Sequence, residues 1–357
     1  MNILLDARPS VGGMARYAAA LLSQLEGAVP PGCVRAYGRK ACRGGRSAGR
    51  RIARRVAGFP LRVLDDQVCL PVRAALWRAD LFHATFGVIP AALRIPAVMT
   101  FYDSWAITHT QERPPGRRTL YERRVVLAGL RRAAHVIAIS RAVARELTES
   151  MGLAASRVTP IYPVMADSVQ PDPHTPERLG LKQPFLLSVG TLEPRKNLGV
   201  LIAAQCAAWR QTGVPLVLAG ARGWRDESIV AAAVAAAPAV RLTGHVTDSE
   251  LAWLYQQASA VVQFSRYEGF DYPVAEALRA EVPLVLSDIE VHRELAGEAA
   301  MYAPPDDVEA LKMALIRRLE QSDADRARES TRAQARFEEI RSLGAVERYV
   351  DCYRGVG

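Results

Sequence analysis

The sequence predicts an α/β protein built from two domains, each a parallel β-sheet covered by helices. Three observations predict it. Short apolar runs alternate with amphipathic stretches, the pattern of strands feeding helices. That rhythm stops once, at a Pro- and polar-rich stretch, and then starts again. The chain has 357 residues, enough for two domains at roughly 100–200 residues each, and half of them are hydrophobic.

The elements follow in order. Asn2–Asp6 reads as a strand, Gly12-Gly13 as a turn, and Ala15–Leu25 as a helix. Ala97–Phe101 and Val136–Ser140 are further apolar strands, with a helix over Arg141–Glu149. Met165–Pro184, with Pro171, Pro173 and Pro176, is the linker. Beyond it, strands are expected at Phe185–Gly190, Leu216–Gly220, Val240–Thr243, Ala260–Phe264 and Pro283–Ser287. Helices are expected at Leu198–Trp209 and at Pro273–Arg279, where Pro opens the first turn. Thr247 and Glu250 form a capping box, because each satisfies the other's orphan amide. Ala324–Tyr353 reads as helical throughout. The expected domains are 1–168 and 169–335, with 336–357 a C-terminal helix crossing back to the first. Two such blocks suggest Rossmann-like domains facing across a cleft, with ligands at the carboxyl ends of the strands.

Charge divides the chain unevenly. The net charge is +9, but residues 1–175 carry 25 basic and 12 acidic side chains. Arg35–Arg62 alone holds ten basic residues, and no acid stands between Glu26 and Asp65. The five cysteines form no CxxC pair, which argues against a zinc site or a disulfide framework and fits a reducing cytosol. The amino terminus lacks the basic start and long apolar run of a signal peptide. The longest apolar run, Ile229–Val240, is Ala-rich and far below the ~20 residues that span a bilayer.

Two segments carry chemistry. In Gly190-Thr-Leu-Glu193-Pro-Arg195-Lys196-Asn197 a strand ends, a turn follows, and two cations stand where a helix begins. A helix amino terminus favours anions, and Arg plus Lys there suit a diphosphate, against the plain alternative of a solvated basic turn. In Ser265-Arg-Tyr-Glu268-Gly269-Phe270-Asp271-Tyr272-Pro273-Val-Ala-Glu276 a carboxylate on a loop precedes another, eight residues on, inside a helix. Carboxylates accept from paired sugar hydroxyls, so the two can grip two sugars. Glu276 sits among Val274, Ala275, Ala277 and Leu278, which argues against an ordinary exposed helix position.

Together these segments resemble the signature of retaining GT-B glycosyltransferases of family 4, a group that includes many bacterial mannosyltransferases. Glu268 and Glu276 match its Glu-x7-Glu element, and Arg195 and Lys196 its basic diphosphate element. The likeness extends to Gly220, Gly244-His-Val246 and Ser140, and covers nearly the whole chain. It implies that Lys196 and Arg195 hold the donor diphosphate, Glu276 the ribose and Glu268 the transferred sugar. Gly269, Phe270, Asp271 and Tyr272 would line the donor, Val246 would lie near the base, and the Gly12-Gly13 loop would approach the phosphates. The resemblance also implies a hexose, mannose or a related deoxyhexose, moved from a GDP-mannose-type donor to a glycan or lipid-linked acceptor, with no metal and no cofactor. Bacterial polysaccharide or O-antigen assembly is the implied setting.

Four departures stand out. Thr191 replaces a common Arg, leaving Arg195 as the second cation. Asp271 replaces a small Gly. Tyr102-Asp103 replaces a His-Asp pair, and Tyr, with a pKa near 10, is a poor proton shuttle at neutral pH. A late aromatic is absent after Phe337, where Glu338 and Glu339 stand. Asp103 remains a catalytic candidate with Lys196, Arg195 and Glu268, and Tyr102 a candidate beside the acceptor. His83 is weighed there too, against a satisfied core histidine. Asp323-Ala-Asp325 reads as solvated surface.

The competing classes are weaker. A nucleic-acid or anion binder would use the basic half, but Arg35–Arg62 holds only Tyr37 and Phe59 as aromatics and matches no common DNA-binding motif. A nicotinamide dehydrogenase would need G-x-G-x-x-G after the first strand. A GT-B isomerase or phosphorylase stays open. The charge asymmetry instead predicts that the first domain docks on an anionic membrane through Arg35–Arg62, at the cytoplasmic face of the plasma membrane.

Overall fold

The computed structural model describes residues 1–8, 13–38, 58–108, 116–182 and 184–356. The chain forms two compact units, Met1–Ala166 with Leu343–Gly357, and Asp167–Ser342. The first boundary falls two residues before the expected one. The second falls seven residues after it, so the helix crossing from position 336 belongs to the second unit as far as Ser342.

In the first unit six strands form one parallel sheet. They are β1 (Ile3–Asp6), β2 (Val34–Tyr37), β3 (Leu81–Ala84), β4 (Ala97–Phe101), β5 (His135–Ala138) and β6 (Val158–Pro160), ordered β2-β1-β3-β4-β5-β6. Register is set by pairs such as Ile3 with Val34 and Ile3 with Leu81. The order reverses direction between β1 and β3, where open α/β sheets place ligands. Helix α1 (Gly13–Ala28) buries Tyr17, Leu21, Leu22 and Leu25 at helical spacing. Strand β2 lies inside the segment read only as a basic run. Its alternation is short, and Arg35 masks it.

A long helical run follows. Helix α2 (Gly58–Leu64), a π turn (Asp65–Cys69) and α3 (Leu70–Leu76) join without leaving helical backbone at Leu64, Cys69 or Leu70. Helix α4 (Trp105–Thr108) is one turn, and α5 (Arg117–Arg132) is long and basic. The helix expected over Arg141–Glu149 is α6 (Arg141–Arg145), capped by Ser140, running into a π turn over Glu146–Ser150.

The C-terminal stretch is not one helix. It breaks between α14 (Asp323–Leu343) and α15 (Val346–Arg354). A β-carbon on Gly344 would lie 2.8 Å from the Pro163 carbonyl oxygen, so only glycine lets the chains approach this closely. Helix α15 completes the first unit's core. The Tyr349 hydroxyl donates to the Tyr162 carbonyl at 2.8 Å, and the Tyr353 hydroxyl meets His83 Nδ1 at 2.7 Å.

That last contact corrects the acceptor-side reading of His83. The residue is fully buried, and its Nε2 meets Thr100 Oγ1 at 2.7 Å, so both ring nitrogens are occupied inside the core. Burial pulls its pKa down to about 3, which keeps the imidazole neutral.

The second unit repeats the architecture with a different order. Its strands are β7 (Leu186–Val189), β8 (Leu216–Ala219), β9 (Val240–Gly244), β10 (Ala260–Gln263), β11 (Leu284–Ser287) and β12 (Ala300–Ala303). All pair in parallel as β12-β11-β10-β7-β8-β9, the doubly wound Rossmann arrangement with its switch point between β7 and β10. The helices are α7 (Thr175–Leu179), α8 (Leu198–Thr212), α9 (Glu227–Ala235), α10 (Asp248–Gln257), α11 (Tyr272–Arg279), α12 (Glu290–Ala296) and α13 (Val308–Leu319), followed by α14. Helix α7 lies within the expected linker and ends at Gly180 in the left-handed conformation. The Thr247–Glu250 capping box is present on α10. Leu186, Leu201, Leu216, Val262, Val285 and Leu311 meet in a single core between the sheet and its helices. Among the described residues, no helix is long and apolar enough to cross a membrane.

Candidate functional site

In the second unit the segments after β7 and β10 leave the sheet at its switch point. Close backbone packing shapes the first of them. A β-carbon on Gly220 would lie 1.9 Å from the Gly190 carbonyl oxygen, so the chain ends after β7 and β8 touch backbone to backbone. Gly190 N donates to Ala219 O at 3.0 Å, and Gly220 N to Gly244 O at 2.9 Å. Gly190 itself has φ +148°, and a side chain there would press on Lys196 Cε at 3.2 Å. Glycine at position 190 thus leaves the space into which the lysine stem folds.

Pro194–Lys196 forms a short 3-10 turn, and Asn197, in the left-handed conformation, turns the chain into α8. The cations therefore stand one turn ahead of the helix rather than on it. Asn197 Nδ2 ties the turn to the Pro305 carbonyl at 2.7 Å, and Arg266 N donates to the Arg195 carbonyl at 3.0 Å. This second bond joins the β7 and β10 loops directly.

The two loops meet in an ionic cluster. Lys196 Nζ lies 2.7 Å from Glu268 Oε1 and 3.4 Å from Asp271 Oδ1. Arg195 pairs with the other oxygen of Glu268, donates to the Tyr267 carbonyl at 3.1 Å, and lies 2.7 Å from Glu193 Oε1. Ser265 Oγ donates to Glu268 Oε1 at 2.7 Å. Burial alone would push the Glu268 carboxyl up, but Arg195 and Lys196 overcome it and hold it at about 2. Lys196 is likewise opposed by its burial, yet Asp271 and Glu268 raise its pKa, so it stays an ammonium. Two of its three N–H donors face carboxylates.

Asp271 holds the amino end of α11 with φ 68°, a conformation usually left to glycine. Its second oxygen lies 3.0 Å from His292 Nε2, and His292 Nδ1 lies 3.0 Å from Ser287 Oγ. Ser287 Oγ in turn donates to the Ser265 carbonyl at 2.6 Å. A closed chain of polar contacts therefore runs from the end of β11 to Lys196. These contacts offset the strained backbone, and they locate the side chain that replaces the expected glycine.

Glu276 sits on α11, where Tyr255 donates to its Oε2 at 2.8 Å. Gly269 and Phe270 are buried on the connecting loop, with the Phe270 ring edge-on to Tyr272 at 5.4 Å. Val246 is buried just ahead of the α10 cap.

The remaining candidates lie in the first unit. Asp103 Oδ1 caps Trp105 N at 3.1 Å, and Tyr102 packs edge-on to Tyr17 at 5.5 Å. Gly13 begins α1, whereas Gly12 and residues 39–57 of the Arg35–Arg62 run lie outside the described residues. Asp325 accepts from Ser322 and pairs with Arg328 at 2.6 Å near the start of α14. Sequence reasoning missed Glu193, Ser265, Ser287, His292 and Tyr255. Glu193 and Ser265 stand within the quoted motifs and were legible as polar neighbours. His292 lies 21 positions from Asp271, with no pattern tying them.

Comparison with known proteins identifies the family. Residues 11–165 match a family described as Glycosyltransferase Family 4, and residues 183–321 match one described as Glycosyl transferases group 1. The chain is 28% identical to O-antigen chain mannosyltransferase B of Escherichia coli, over 77% of this chain and 74% of that one. It is 26% identical to O-antigen chain mannosyltransferase RfbU of Salmonella typhimurium, over 57% of this chain and 55% of that one. Among solved structures, sucrose-phosphate synthase of Thermosynechococcus elongatus superposes with TM-score 0.71 at 18% identity, covering 99% and 98% of the two chains. Anabaena Alr3699/HepE in complex with UDP and glucose gives TM-score 0.71 at 19% identity, covering 99% of each. With both motifs in place at the switch point of a Rossmann sheet, the chain belongs to the GT-B glycosyltransferases of family 4.

Proposed function

We propose that this glycosyltransferase moves a mannose or related deoxyhexose, with retention of configuration, from a GDP-mannose-type donor to a glycan or lipid-linked saccharide. The ionic cluster of Arg195 and Lys196 with Glu268 carries the reading. In the transfer, the bond from the sugar C1 to the donor diphosphate breaks and a bond from C1 to an acceptor hydroxyl forms. The acceptor proton passes to the departing phosphate on the same face. Negative charge grows on that phosphate, and fixed cations in a largely buried site stabilise it without reorganising. Arg195 and Lys196 are those cations, which makes a metal unnecessary. Glu268 holds them in register and leaves its carboxylate edge toward the sugar, while Glu276 accepts from the ribose hydroxyls.

The mannosyltransferase relatives favour a mannose-type donor, and the UDP and glucose bound to Anabaena Alr3699/HepE keep a uridine donor in the comparison. The acceptor side falls to the first domain, with Tyr102 and Asp103 near it. Its basic half suits work at the anionic cytoplasmic face of the plasma membrane, where lipid-linked saccharides are presented.

The test is a panel of GDP- and UDP-sugars, with and without acceptor glycan, followed by nucleotide release and by the anomeric configuration of the product. GDP release from GDP-mannose, dependent on acceptor and insensitive to chelator, is expected. Transfer that is unchanged in Lys196→Ala, or an isomerised or phosphorolysed sugar in place of a glycoside, overturns the reading.

A further inference from the structure

The continuous helical run from Gly58 to Leu76 has two opposite faces. Asp66, Leu70 and Ala74, four residues apart, are buried against the first unit. On the other side, Leu61, Leu64, Val68, Val72 and Leu76 recur at spacings of three and four and are between 49% and 72% exposed. At ~100° per residue these five side chains form one apolar stripe, directed away from the core. Scattered exposed leucines need no explanation, but five in register on one helix do.

Charge around the stripe identifies what covers it. Arg62 and Arg73 are exposed on the same run. Helix α5 is joined to it through Arg62 and Glu122 at 3.2 Å and through Tyr121 and Asp66 at 2.9 Å, and it exposes Arg123 and Arg124 beside those contacts. Of the run's two acids Asp66 is buried, whereas Asp65 is only half-buried, and both are paired. Asp66 pairs with Arg8, and Asp65 accepts from Tyr37 at 2.6 Å. Residues 39–57, which precede the run, add eight cations but only Ile52 and Val56 as large aliphatics. A second copy of the chain would bring arginines against arginines. An anionic lipid surface satisfies both features, since it takes apolar side chains below its headgroups and attracts cations at their level.

We infer that Leu61, Leu64, Val68, Val72 and Leu76 insert into an anionic bilayer, flanked by Arg62, Arg73, Arg123 and Arg124. The inference deepens the membrane part of the proposed function, which had rested on charge alone, and adds an apolar anchor that salt does not screen.

Flotation of the full chain with vesicles tests it, using phosphatidylcholine alone or with about 30 mol% phosphatidylglycerol. Wild type is expected on the anionic vesicles. The variant L64S/V68S/V72S is expected to bind at least tenfold more weakly, with an unchanged melting temperature and unchanged GDP-mannose turnover on a soluble acceptor. Val68→Trp adds an emission that brominated lipid quenches. Equal binding by wild type and the serine variant, absence of wild-type binding, or no quenching overturns the inference. So does a dimer that the serine variant dissociates. Turnover and vesicle binding are read separately, so failure of the transfer reading and failure of this one are distinguishable.

Discussion

Each unit places a charged cluster after the first strand of its sheet, but the two clusters are built for different ends. In the first unit a single cation, Arg8, faces three carboxylates: Asp6, Asp66 and Asp65. Asp6 and Asp66 are fully buried. Burial pushes the Asp6 carboxyl up more than Arg8 can lower it, so its charge is expensive to keep. In the second unit two cations share Glu193, Glu268 and Asp271, and the carboxyl between them, Glu268, is held low. One cluster ties a loop down. The other gathers two cations at the switch point of its sheet. Under the proposed function, similar residues serve architecture in one sheet and chemistry in the other, with one cation to three carboxylates in the first and two to three in the second.

Breaking the first cluster should give the largest stability effect. Arg8→Met leaves two carboxylates buried without their partner, which costs about 3–5 kcal/mol in comparable buried pairs. Urea midpoints against wild type measure it, and a loss below about 1 kcal/mol would mean that Arg8 is not the tie. In the second unit Lys196→Ala should instead act on turnover, lowering it roughly 10²–10³-fold, as loss of one transition-state donor does. A comparable fall in kcat with little change in donor KM would locate its action at the departing phosphate.

Acid sharpens the contrast further. Glu268 has its pKa depressed from 4.5 to about 2, so its contribution is fully present above pH 4.5 and is lost as pH falls through 2. The shift corresponds to on the order of 3 kcal/mol. The stability gap between wild type and Glu268→Gln should therefore narrow between pH 4.5 and 2. Unfolding scans across that window check it, and a gap that stayed constant would place the worth of Glu268 in packing rather than charge. The smallest effect is expected from Tyr255→Phe, which removes one hydrogen bond to Glu276. A change of about 1 kcal/mol, or a five- to tenfold rise in donor KM with kcat preserved, is the expected result.

Much of the second unit was legible in the sequence. Strong apolar strands such as Leu216–Ala219 and Leu284–Ser287 are buried on both faces and read as continuous runs. Gly190, Arg195, Lys196 and Glu268 are local in sequence to the loops that hold them and Glu276 to the helix that follows, so a linear pattern reveals them. The Asp271–His292–Ser287 chain was not legible, because it closes across separate elements through side-chain geometry alone. The first unit was harder. Strand β2 is four residues long and carries an arginine, and the exposed stripe over Leu61–Leu76 is interrupted by Asp65 and a π turn that shifts the helical period. His83 shows the reverse problem. It is weighed beside the acceptor from sequence, whereas it lies within β3 and the partner that fixes it, Tyr353, lies 270 residues away.

That distance bears on how the chain comes to be folded. Asp167–Ser342 is an uninterrupted segment, whereas the first unit is assembled from both ends of the sequence. During synthesis the second sheet has all of its strands before Tyr349 and Tyr353 have been made. The first sheet must wait, with His83 and the Tyr162 carbonyl still missing their partners, until the last helix emerges. The second unit can therefore have all of its strands while the first is still an open intermediate. A chain truncated before Leu343 would carry every strand of the second unit but a first unit that lacks part of its core.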